Sequence, residues 1–85
     1  MEKYRLVFRK SVAKDLRHIA DRDVRQILAA INTLSANPRR LGCEKLSGQE
    51  RYRLRQGDYR ILYEIRDEEP AVEIVKVAHR REVNR

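Results

Sequence analysis

Apolar and polar positions along this chain change period partway through, and the change divides it into a helical half and a stranded half. Tyr4 and the run Leu6-Val7-Phe8 read as an opening strand. Val12, Leu16, Ile19 and Ala20 then recur at helical spacing with Lys14 and Arg17 outside, and Ser11 stands where an N-cap belongs. Asp21 and Asp23 interrupt this helix and can cap a second, in which Val24, Ile27, Leu28, Ile31 and Leu34 trace one stripe until Asn37-Pro38 stops it. The short linker predicts two antiparallel helices. Residues 39–50, with Gly42 and Gly48, read as a loop carrying Arg39, Arg40 and Lys45. From there the period falls to two, predicting strands over 51–55, 59–66 and 71–79 as a meander.

The first hairpin of that meander carries the chemistry. A two-residue loop at Gly57-Asp58 sets Gln56 opposite Tyr59, Arg55 opposite Arg60 and Arg53 opposite Leu62. Side chains alternate, so Arg51, Arg53, Arg55 and Arg60 share one face, and Tyr52, Leu54, Tyr59, Ile61 and Tyr63 share the other. Facing arginines repel each other. Glu64, opposite Arg51, offsets part of that charge, and the remainder calls for an anionic visitor. The face of the last strand turns on the loop before it: an even loop adds Val75, Val77 and His79 to the arginine side, an odd one Val72, Ile74, Lys76 and Ala78. Leu62 on that side needs cover from the tail, 79–85, or from a partner. The expected fold class is α+β, with two N-terminal helices packed on an antiparallel sheet that ends in a three-stranded C-terminal meander.

Composition narrows the picture. Eighty-five residues make one domain, 1–85, and 20 Lys+Arg against 13 Asp+Glu leave a net charge of +7. That balance points to nucleic-acid or acidic-protein partners. One cysteine, Cys43, excludes an internal disulfide; no apolar run is long enough for a membrane span, and the N-terminus lacks a secretory segment. A cytoplasmic setting without membrane association is expected. Cys43, His18 and His79 do not match a metal-ligand spacing, and three glycines form no phosphate-cradling loop, so neither metal nor cofactor is expected.

Several segments together resemble the RelE/ParE superfamily of toxins from type II toxin–antitoxin pairs. They are Ser11-x-Ala13-x-x-Leu16, the helix end Leu34-Ser35-Ala36-Asn37-Pro38, Lys45-Leu46-x-Gly48, Tyr52-Arg53-Leu54-Arg55-x-Gly57-Asp58-Tyr59-Arg60-x-x-Tyr63, and the closing Val77-x-His79-Arg80. The resemblance spans nearly the whole chain and is closer to the RelE branch, whose members cut messenger RNA in the ribosomal A site without metal. It implies a RelE-like fold, a ribosome-dependent endoribonuclease that inhibits translation, and as partners a cognate antitoxin, the ribosome and mRNA. By position it implies that Arg53, Arg55, Arg60 and Arg80 surround the scissile phosphate and that Lys45, Arg51, His79 and Arg81 contact RNA. Fixed guanidinium groups suit the charge that builds on phosphate oxygens during attack by a 2′-hydroxyl.

One position departs from the family. Members commonly carry a tail tyrosine implicated in catalysis and base stacking, and this chain has Asn84 there. Asn84 can hydrogen-bond RNA but offers no useful proton. Three readings stay open: a weak natural enzyme, one that uses His79 or Glu82 instead, and a deliberately inactivated toxin. Two other functions remain beside the ribonuclease: a ParE-like inhibitor of DNA gyrase, and a catalytically silent RNA-binding protein.

Overall fold

A computed structural model of the chain describes residues 3–83. The elements run β1 (Arg5–Phe8), α1 (Lys10–Arg17), α2 (Asp21–Ala36), β2 (Cys43–Lys45), β3 (Tyr52–Gln56), β4 (Tyr59–Arg66), β5 (Ala71–His79) and α3 (Arg80–Val83). The five strands form one sheet in the order β1-β5-β4-β3-β2, antiparallel except that β1 joins β5 in parallel. The class is the expected α+β. The sheet is mixed, not wholly antiparallel as expected, because the chain climbs β1, crosses through both helices and returns at the far edge.

Three local features differ from expectation. Residues 39–50 are not all loop: β2 pairs with β3, setting Glu44 opposite Arg53 and Lys45 opposite Tyr52. Ser11 does not cap α1. The Arg9 N–H still donates to the Ile74 carbonyl of the sheet at 3.1 Å, and the helix starts at once with Arg9 as a cap lacking a side-chain bond. Ala20, not an aspartate, caps α2, while Asp21 and Asp23 lie in its first turn, where carboxylates complement the helix dipole.

The helices pack on one face of the sheet. The α2 stripe is Ile27, Ala30, Ile31, Leu34 and Ser35, and Leu28 points out. These residues meet Leu54, Ile61, Tyr63, Val72, Ile74 and Val77, with Val12 from α1 completing the core. Tyr63 is fully buried, and its hydroxyl donates to the Pro38 carbonyl at 2.7 Å, fixing the start of the α2–β2 connection. Burial pushes that phenol's pKa far up, so it stays neutral. Ser35 Oγ donates to the Tyr4 carbonyl at 2.7 Å and ties the end of α2 to the start of β1. Among the described residues no helix is long and apolar enough to cross a membrane.

The last strand answers the register question in an unexpected way. Leu62 pairs with Lys76 but Tyr63 pairs with Ile74, which leaves Val75 as an extra residue in a β-bulge. Neither parity holds for the whole strand. Before the bulge Ala71 and Glu73 lie on the arginine side; after it Lys76 and Ala78 do, while Val72, Ile74, Val77 and His79 align with the core side. From α1, Asp15 Oδ2 accepts the Val77 N–H at 3.1 Å, satisfying a donor at the bulge.

Candidate nucleic-acid interface

The hairpin register is as the sequence predicts: Gln56 pairs with Tyr59, Arg55 with Arg60, Leu54 with Ile61 and Arg53 with Leu62. Gly57 has φ +58°, and Asp58 does not share the left-handed region, which makes the loop a type II′ turn with glycine at its first central position. Cross-strand pairing builds two rows on the face opposite the helices. One runs Glu44, Arg53, Leu62, Lys76; the next runs Arg55, Arg60, Ala78. Half-buried Leu62 lies between Arg53 and Lys76, whose stems can shield it. Arg80, the first residue of α3, closes the end of this surface: its N–H donates to the Asp58 carbonyl at 2.7 Å and its Nε lies 3.9 Å from Asp58 Oδ1.

Arg53, Arg55, Arg60 and Arg80 are therefore brought together. Arg60 registers the crowding, since partial burial and then the fields of Arg55, Arg53 and Arg80 lower its hold on the proton. It remains a cation, because an arginine starts from above about 12. Its Nη1 donates to the Gly57 and Tyr59 carbonyls at 3.1 and 2.9 Å, which braces the guanidinium against the turn. Glu44 is the acid most tightly engaged within the cluster, Asp58 standing at its rim beside Arg80. Its Oε1 accepts from Arg53 Nε at 2.9 Å and also from Arg53 Nη2, and it lies 3.8 Å from Arg55 Nη2. Hydrogen bonding to Arg53 holds that carboxyl below the usual glutamate range.

The other end of the same face is neutralised. Arg9 Nε pairs with Glu73 at 2.9 Å, Arg66 Nη2 with Glu73 at 2.7 Å, and Arg51 Nε with Glu64 at 3.0 Å. Arg51 thus shares the face, as expected, yet is bound in an ion pair away from the four clustered arginines.

Two expected RNA contacts lie elsewhere. Lys45 falls on the helix side of the sheet, since its partner is Tyr52, and its ammonium is 3.7 Å from Glu50. His79 pairs with Tyr59 on that same side, with ring centroids 5.6 Å apart edge to face, and its Nδ1 accepts the Arg81 N–H at 3.2 Å. Its ring lines a shallow cavity with Asp15, His18, Tyr59 and Glu82. One residue of alternation explains both displacements. Arg81 is exposed on α3, and Glu82 Oε1 accepts the His79 N–H at 3.4 Å. Asn84 lies outside the described residues. Tyr52 stacks on Tyr63 at 5.7 Å with the Arg39 guanidinium above it.

Glu44 joins the site without being expected there, and Lys76, whose side depended on the loop before β5, falls on the arginine face. The signal for Glu44 was Cys43-Glu44-Lys45 as a short strand, which places Cys43 against Leu54 in the core and so turns Glu44 the other way. Among the described residues no group of three or more His, Cys, Asp or Glu is placed to hold a metal ion.

A small sheet with one helix-covered face and one arginine-lined face defines the class, and comparison with known proteins names it. The sequence profile of the ParE toxins of type II toxin–antitoxin systems (parDE) matches residues 6–84, and the chain belongs to that family, a toxin of the RelE/ParE superfamily. Curated protein sequences give no match. Among solved structures the chain is similar to RelE in the archaeal RelE–RelB complex of Pyrococcus horikoshii, with 29% identity, TM-score 0.79, and 91% of this chain and 94% of that one covered. It is similar to a chain of the RelBE2 toxin–antitoxin complex of Mycobacterium tuberculosis, with 32% identity, TM-score 0.73 and coverage of 89% and 96%. The Escherichia coli RelBE complex matches with 26% identity, TM-score 0.77 and coverage of 91% and 96%. The fold is RelE-like.

Proposed function

We propose that this toxin is a ribosome-dependent, metal-independent endoribonuclease that cleaves messenger RNA and is neutralised by a cognate antitoxin. The observation that carries this reading is the convergence of Arg53, Arg55, Arg60 and Arg80 on one face of a rigid sheet. Strand register sets the four arginines side by side, and the Arg60 guanidinium is braced on the Gly57 and Tyr59 carbonyls, so a phosphodiester meets donors that are partly preorganised. As a ribose 2′-hydroxyl attacks the neighbouring phosphorus, charge gathers on the non-bridging oxygens, and paired N–H donors strengthen most at that moment.

Proton transfer is less well provided for. Arginine is too basic to accept the 2′-hydroxyl proton at neutral pH, and Glu44, held low by Arg53, is a weak base. His79 belongs to the other face of the sheet. The four arginines therefore supply electrostatic stabilisation, and since Asn84 and Arg85 bring no base, the proton acceptor comes from the ribosome–RNA complex. Three of the similar solved structures are toxin–antitoxin complexes, which supports an antitoxin here; acidic residues on its binding segment suit the arginine face and would make association salt-sensitive.

The ParE family match favours a second reading, inhibition of DNA gyrase through protein binding alone. Primer extension on a translated message, run beside a gyrase supercoiling assay, separates the two. Arginine-dependent cleavage sites on the message support the proposal, and inhibited supercoiling with an intact message overturns it.

A further inference from the structure

We propose that Glu44 is a displaceable internal anion, a carboxylate that occupies Arg53 in the free toxin and must yield it when an RNA phosphate binds. The proposal rests on the RNA-binding reading and adds the residue that sets the affinity of that site. Glu44 Oε1 is approached by two N–H groups of one arginine, and a guanidinium nitrogen of a second stands 3.8 Å away. One oxygen at the focus of two guanidiniums is the arrangement a phosphate oxygen takes. A phosphate at this point and the Glu44 carboxylate cannot both hold that edge of Arg53.

The elements around Glu44 allow it to leave. It belongs to β2, a three-residue strand at the sheet edge whose only strand partner among the described residues is β3, and its side chain is 49% exposed. A rotation about its side-chain bonds carries the carboxylate into water without disturbing the core. Glu73 shows the opposite case. Its side chain is 14% exposed and held between Arg9 and Arg66, a carboxylate built to stay.

Displacement has a measurable signature. The free toxin must break the Glu44–Arg53 pair before Arg53 can serve RNA, which lowers affinity, and salt weakens that internal pair, which flattens the salt dependence of binding. Glu44→Gln removes the charge at nearly constant shape. It should bind a short, fluorescently labelled 2′-O-methyl oligonucleotide, which cannot undergo 2′-hydroxyl attack, about two- to five-fold more tightly, the range of an exposed ion pair. The slope of log K against log salt should steepen by up to about 0.7, one single-strand phosphate contact.

The test measures anisotropy of that probe with the full chain, Glu44→Gln, Arg53→Ala, the double variant and Arg60→Ala. Tighter, more salt-sensitive binding by Glu44→Gln, with no such gain on the Arg53→Ala background, supports the proposal. Unchanged or weaker binding by Glu44→Gln overturns it and makes Glu44 a brace for Arg53. A gain that persists without Arg53 also overturns it, as a general charge effect. Probe binding indifferent to Arg60→Ala sinks the phosphate-site reading and this proposal with it, whereas normal dependence on Arg60 with no gain from Glu44→Gln sinks this proposal alone.

Discussion

The arginine face has two ends built from the same residue types for opposite purposes. At one end Arg9, Arg51 and Arg66 share Glu64 and Glu73, and each guanidinium has a carboxylate within 3.0 Å. At the other, Arg53, Arg55, Arg60 and Arg80 share Glu44 and Asp58, and only Arg53 is tightly paired. The first end is satisfied and fastens β1 to the centre of the sheet. The second holds like charges together against their repulsion, an arrangement that lowers stability slightly and suits the anion site proposed above. Arginine count alone cannot locate a site; the shortage of acid around it can.

The largest expected effect is at the unsatisfied end. Arg60→Ala should lower messenger cleavage about 10²–10³-fold, the usual loss on removing one preorganised donor to developing charge. Folding stability should change by no more than about 0.5 kcal/mol, because the lost turn bonds are offset by relief from Arg55, Arg53 and Arg80. Primer extension and thermal melting read the two quantities. Unaltered cleavage would remove Arg60 from the mechanism, and a large drop in melting temperature would make it a structural residue.

At the satisfied end the effects should invert. Glu73→Ala strips an acceptor from both Arg9 and Arg66 and should cost about 1–2 kcal/mol of stability, discounted for the partial exposure of both arginines. For a domain of this size that is roughly a 5–15 °C fall in melting temperature. Arg51→Ala, although only two positions from Arg53, should leave cleavage within about threefold, since Arg51 is engaged with Glu64. A deep loss of cleavage in Arg51→Ala would extend the site across the whole face and erase the distinction between its ends.

Much of this division was legible in the sequence. Gly57-Asp58 and the alternation around it set the hairpin register, and with it the facing of Arg55 and Arg60 and the pairing of Arg51 with Glu64. Two features were hidden for physical reasons. In Ala71-Val72-Glu73-Ile74-Val75-Lys76-Val77-Ala78 apolar residues fall on both faces, so the bulge at Val75 leaves no break in the pattern, and the sides taken by Lys76 and His79 could not be read. Three-residue β2 is too short to show a period, and its register alone reveals that Glu44 enters the site while Lys45 leaves it. Ser11 was a good cap by residue type, but the bond from Arg9 to Ile74 set where the helix could begin.

The smallest expected effect concerns pH and tests the same contrast without touching activity. Hydrogen bonding to Arg9 holds the Glu73 carboxyl below the usual glutamate range, against the opposing pull of its partial burial, and Arg66 adds to the shift. A carboxylate whose folded pKa lies below its unfolded value of about 4.3 stabilises the fold above that pH. The contribution is lost as pH falls from about 4.3 through the folded value, because the unfolded chain then takes up the proton first. Melting temperature should therefore be insensitive to this group between about pH 6 and 8 and decline in acid. Glu73→Gln should melt lower at neutral pH and fall less steeply below about pH 4.3, so that the two curves converge. Glu44 is also held low, yet it is exposed, so water and salt screen its pairing and Glu44→Gln should track the parent curve more closely. Parallel acid curves for the parent and Glu73→Gln would show that Glu73 is not the carboxylate that links folding to acid, and would transfer that role to Asp67, which hydrogen bonds from Arg39 and Tyr4 hold low.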